Sequence, residues 1–131
     1  MKKVILSAVL IAVVGFTSCK NNTQKNAKET TEMAKTAAIT NLSFGVRGNC
    51  KTCKKAIEKA VNNVDGVTHA DWNVDKKNIT VSFDANKTNE TAIHNAIAAA
   101  GYDTEKVAGS SEAYNNLPKC CQYDHEMTMN Q

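Results

Sequence analysis

Cys50-Lys51-Thr52-Cys53 sets two thiols three positions apart, and Cys120-Cys121 sets two more side by side near the end of the chain. Thiolates are soft ligands, so the first pair can close on one ion such as Cu(I), with Zn(II), Cd(II) and Hg(II) as competitors. The same pair can instead close on itself as a structural or exchanging disulfide. Arg47, Lys51, Lys54 and Lys55 flank it, and both neighbouring cations and a helix N-terminus lower thiol pKa values. No Asp or Glu stands inside the loop to add a harder ligand, which favours Cu(I) over Zn(II). Behind Cys120 and Cys121 come His125, Met127 and Met129, a further inventory of soft ligands. The dozen or so residues from Ala108 to Cys120 span at most roughly 40 Å, so the tail can reach the first pair. Cys120 and Cys121 are expected to cap the Cys50/Cys53 site or to hold a second ion; the alternatives are a vicinal disulfide or a disordered end.

The elements that position these residues follow from a hydrophobic period that switches along the chain. Leu42, Phe44 and Val46 alternate with Asn41, Ser43 and Gly45, which marks a half-buried strand. From Cys53 the apolar residues Ala56, Ile57, Ala60, Val61 and Val64 recur at helical spacing, and Asp65-Gly66 ends that helix. Val67 to Val74 reads as a strand, Asp75 to Asn78 as a hairpin loop, and Ile79, Val81 and Phe83 as the next strand. A second helix runs from about Thr88 to Ala100 and stops at Gly101, and Thr104 to Ala108 is expected to add a short last strand with Val107 inward. The order βαββαβ predicts an α+β fold, a ferredoxin-like sandwich with two helices on one face of an antiparallel sheet. So small a module leaves little room for a deep pocket, and function is expected in a surface loop. Trp72 is expected in the core, His69 and His94 on the surface.

The first residues suggest a compartment. Lys2 and Lys3 precede an apolar stretch from Val4 to Phe16 that is short for a membrane span and shaped like a secretory signal. It ends in Thr17-Ser18-Cys19, which resembles the lipobox of bacterial lipoproteins, with Phe16 departing from the usual aliphatic residue. That resemblance implies cleavage after residue 18, a lipid on Cys19, and export to the bacterial cell envelope, lipid-anchored to a membrane on its periplasmic side. It leaves Cys50, Cys53, Cys120 and Cys121 as free thiols. Residues 19–38 are polar, with Met33 the one large apolar side chain, and read as a tether with a reach of roughly 25 Å. The formal charge is +3, from 16 Lys and Arg against 13 Asp and Glu. Without Lys2 and Lys3 the excess is only about one positive charge, which gives no case for a nucleic-acid partner. Nor is there an aromatic series suited to base stacking.

Residues 39–108 resemble a heavy-metal-associated domain, the module of copper chaperones, of the extensions of metal-transporting P-type ATPases and of a periplasmic mercury-binding protein. The resemblance rests on Val46-Arg47-Gly48-Asn49-Cys50-Lys51-Thr52-Cys53, on Asp65-Gly66-Val67 and on Ala100-Gly101-Tyr102-Asp103. It implies metal binding by Cys50 and Cys53, Tyr102 in a loop touching the metal's ligands, and a metal-transport protein or another metal-binding domain as partner. The family usually reads Gly-Met-Thr-Cys-x-x-Cys, with the methionine packed beneath the loop; here Gly48 takes its place. Residues 109–131 lie beyond the resemblance.

Two function classes stay open. One is a metal-binding protein that transfers, buffers or sequesters a soft cation; the other is a thiol-disulfide exchange or redox-sensing protein using the same two pairs. A thioredoxin-like fold would need a cis-proline beside the disulfide, whereas the single proline is Pro118, and Lys54 after the second cysteine removes c-type haem attachment. No nucleophile, base and orienting-group set and no Gly-rich phosphate loop is present, so no enzyme is expected.

Overall fold

The computed structural model describes residues 37–130; the leader, Cys19 and most of the tether lie outside the described residues. The elements are β1 (Ile39–Gly45), α1 (Lys51–Asn62), β2 (Val67–Asn73), β3 (Asn78–Asp84), α2 (Glu90–Ala99) and α3 (Ser111–Asn115), followed by a 3-10 turn over Lys119–Cys121. The sheet is antiparallel in the order β1-β3-β2, with Phe44 and Trp72 both opposite Ile79, and Leu42 and Ala70 both opposite Val81. This register puts the alternating apolar residues of all three strands on one face. Ile57 and Val61 of α1 and Ile93 and Ile97 of α2 are buried against them in one core. The other face carries short polar pairs, among them Ser82 Oγ donating to Asn41 Oδ1 at 2.7 Å and Ser43 Oγ donating to Asn78 Oδ1 at 2.8 Å. The chain is thus the ferredoxin-like α+β sandwich that its periodicity predicts. No helix among the described residues is long and apolar enough to cross a membrane.

Four local expectations change. First, the last strand shrinks to a single bridge between Val46 and Thr104. Thr104 N–H donates to Val107 O at 2.8 Å, which turns the chain back at once and consumes the donor that a ladder would need. Second, the hairpin loop lies one residue earlier, at Val74–Lys77, with Asn73 Oδ1 accepting from the N–H groups of Asp75 and Lys76 at 2.9 Å each. Third, α1 starts at Lys51, so Cys50 is its N-cap and Cys53 sits in its first turn. Fourth, His94 is not on the surface: it is 1% exposed, its ring 3.9 Å from that of Phe44 and its Nδ1 2.8 Å from Thr104 Oγ1. Burial is the main cause that lowers its pKa, so the ring stays neutral in the core. His69 is exposed.

Gly48 explains how the chain does without a methionine beneath the loop. A side chain at 48 would meet the Trp72 indole at 3.0 Å and Cys53 Cβ at 3.2 Å. Trp72 is fully buried and its indole N–H donates to Val46 O at 3.1 Å, which fixes the ring under the loop. The space beneath the loop is thus filled from β2. Gly48→Met is therefore expected to cost about 1–3 kcal/mol by overpacking. In urea unfolding, Gly48→Met/Trp72→Val should lose less than the sum of the two single changes. Strict additivity would mean that the indole does not hold the methionine's space.

Candidate functional site

The Cys50 backbone is extended, with φ −150° and ψ 177°, and its carbonyl accepts from Lys54 N–H at 3.0 Å to open α1. Cys50 makes no side-chain capping hydrogen bond, but the N–H groups of Cys53 and Thr52 act on its sulfur. The Cys53 N–H is the largest influence on this thiol and outweighs burial; with help from Thr52 N–H it brings the pKa down to about 6. The expected basic collar plays little part in this. Arg47 pairs with Asp103 at 3.2 Å, and Lys54 pairs with Glu58 at 2.7 Å and Asp71 at 2.6 Å, while Lys51 and Lys55 are exposed.

Cys50 Sγ lies 3.6 Å from Cys53 Sγ. Cys50 is half-buried, whereas Cys53 is fully buried and accepts the Asn49 N–H at 3.3 Å. A third sulfur joins them from the tail: the Sγ atoms of Cys50, Cys53 and Cys121 all lie within 4.8 Å of one another. Of the two tail cysteines, only Cys121 enters this group. Cys120 is exposed, its Sγ 3.9 Å from that of Cys121, and its contribution is the carbonyl that accepts the Cys50 thiol at 3.7 Å. Burial, above all, pushes the Cys121 thiol up.

Tyr102 is also fully buried. Its hydroxyl has no hydrogen-bond partner, yet it lies close enough to Cys53 and Cys121 for both, together with dominant burial, to raise its pKa. The resemblance placed Tyr102 near the metal loop; the structure places its hydroxyl beside Cys53 and Cys121. His125, Met127 and Met129 go elsewhere. His125 Nδ1 is 2.7 Å from Asp103 Oδ2 and its ring packs on Tyr114 and Tyr123. Met127 packs on the core, and Met129 covers Gly45 so closely that a side chain there would meet its Cβ at 2.6 Å.

The tail reaches the loop through residues that composition did not single out. Asn49 Nδ2 donates to Cys120 O and Gln122 O at 3.4 Å each, and Arg47 Nε donates to Met127 O at 2.8 Å. Tyr123 is buried beside Tyr102, its hydroxyl donating to Gly101 O at 2.9 Å and accepting Asp103 N–H at 2.7 Å. The available signal was the density of Tyr114, Tyr123 and His125 in a short polar segment.

Cys50 and Cys121 should differ in reactivity. Metal-free reduced protein is expected to alkylate first at Cys50, with a rate that rises through a midpoint near pH 6, far below the ordinary thiol value of 9.0. Cys121 should stay unmodified until the fold opens. Iodoacetamide labelling read by mass spectrometry across pH checks this; a Cys50 midpoint above pH 8 would contradict it.

Residues 48–103 match the heavy-metal-associated domain family. The copper chaperone CopZ of Staphylococcus aureus is 42% identical over 55 residues, covering 42% of this chain and 81% of that protein. Oxidised MerP from Ralstonia metallidurans superposes with a TM-score of 0.50 at 30% identity, covering 52% of this chain and 96% of the other. The matched segment runs from Gly48, under the Trp72 ring, through both loop thiols to Asp103 beside Tyr102. On this agreement of sequence, fold and thiol loop, the chain belongs to the heavy-metal-associated domain family.

Proposed function

We propose that the protein binds Cu(I) through the Cys50 and Cys53 thiolates and transfers, buffers or sequesters it in the bacterial cell envelope. The observation that carries this reading is the pair of sulfurs 3.6 Å apart at the start of α1, where the helix N–H groups lower the Cys50 pKa. Soft sulfur ligands without a carboxylate among them favour Cu(I) over Zn(II), and CopZ is a copper chaperone. Metal exchange would begin at half-buried Cys50: an incoming thiolate adds to the ion, Cys50 leaves, and buried Cys53 leaves last. The donor or acceptor is a metal-transport protein or another metal-binding domain. The lipobox-like Thr17-Ser18-Cys19 supports lipid anchoring at Cys19, with residues 19–38 as the tether on the periplasmic side of a membrane.

A second reading is thiol-disulfide exchange, favoured by the same 3.6 Å separation, which is a small movement away from an S–S bond of about 2.05 Å. Metal content and free-thiol content measured on one anaerobically purified sample separate the two. The copper reading expects about one Cu(I) per chain with all thiols reduced, and its loss in Cys50→Ser and Cys53→Ser. A metal-free protein that refuses Cu(I) and has a strongly oxidising Cys50/Cys53 couple would replace it with the second reading.

A further inference from the structure

We propose that Cys121 is a third sulfur ligand, so that the folded tail turns the two-thiol loop into a closed three-sulfur Cu(I) site. This rests on the copper reading above and specifies the coordination of the same ion. The Sγ atoms of Cys50 and Cys53 are 3.6 Å apart, and that of Cys121 completes a triangle in which every separation is within 4.8 Å.

The position of Cys121 is built, because loop and backbone hold it from several sides. Pro118 starts the 3-10 turn with Cys121 N–H donating to Pro118 O at 2.7 Å, which points the Cys121 side chain into the core while Cys120 faces out. Arg47 and Asn49, both from the metal loop, hydrogen-bond the carbonyls of Met127, Cys120 and Gln122. Gly101 is where α3 crosses: a Cβ there would meet Tyr114 N at 2.7 Å, on a backbone already at φ +90°. A buried sulfur could be mere core filling, but the Tyr102 hydroxyl beside it is fully buried and unpartnered. Such a donor has a large unmet need, and a metal-bound thiolate meets it. Its O–H would donate to the sulfur of Cys53 or Cys121, as Asn49 N–H already does to Cys53. These donors and the first N–H groups of α1 offset the negative charge of three thiolates on a monovalent ion.

The consequence is functional. An ion held by two sulfurs of an open loop exchanges readily, whereas one covered by Cys121 must lose that bond before a partner's ligand can take its place. The tail makes the protein retain copper.

X-ray absorption at the copper edge of the anaerobically Cu(I)-loaded full chain tests this, run on monomer isolated by gel filtration. Three sulfur neighbours are expected in the wild type and in Cys120→Ser, and two in Cys121→Ala, with retention against a competing chelator weakened about ten-fold or more in the last. Cys121→Ser serves as a second variant, and circular dichroism verifies that each is folded. Two sulfurs in the wild type, or three persisting in folded Cys121→Ala, overturn the proposal while leaving two-thiol copper binding intact. A wild type that takes up no Cu(I) removes both.

Discussion

Asp103 is the contact on which the arrangement turns. Its carboxylate is 6% exposed and accepts from Arg47 Nη1, His125 Nδ1 and Gly109 N–H, while its own backbone takes part in bonds with Arg47 N–H and the Tyr123 hydroxyl. Those partners come from the metal loop, the turn after α2 and the tail. Burial alone would raise this carboxyl's pKa, but the Gly109 N–H and His125 hold it below the ordinary aspartate value. A buried carboxylate tolerates the loss of its partners poorly, so Asp103 binds three separate stretches of chain into one unit. Without it, the tail would be held at the loop only by the Asn49 and Arg47 bonds to its carbonyls and by burial.

Around that anchor, the site is assembled by substitutions of space. Trp72 fills the space beneath the loop, Gly48 yields the room, and Asn49 uses the next position to tie the loop to Cys120 and Gln122. The loop is therefore coupled to the tail, since Asn49 reaches across to two of its carbonyls. Cys50 stays half-buried at the edge of this packing, the one loop sulfur that a partner can approach first.

How much of this was legible depended on how local the cause was. β1, α1, β2, β3 and α2 are written in the period of their apolar residues, because one buried face per element is enough to fix each. The Cys50/Cys53 loop was legible for the same reason, lying where the period changes from two to 3.6. The last strand was not: whether Thr104 pairs or turns depends on its bond to Val107, a choice that alternation cannot reveal. His94 looks polar on a helix, yet the Phe44 ring and Thr104 hydroxyl that receive it come from distant segments. The tail showed its ligands but not which of them would turn inward; that was decided by the local turn at Pro118, by Tyr123, and by Asn49 acting from about seventy residues away.

Under the three-sulfur proposal, Cys121 separates a carrier that hands copper on from a protein that keeps it. The most direct measurement is a crystal structure of the anaerobically Cu(I)-loaded protein. It should show one ion bonded at about 2.3 Å to the Sγ atoms of Cys50, Cys53 and Cys121, with the Tyr102 hydroxyl donating to one of them. An ion held by Cys50 and Cys53 alone, with Cys121 turned away or the tail undocked, would contradict it.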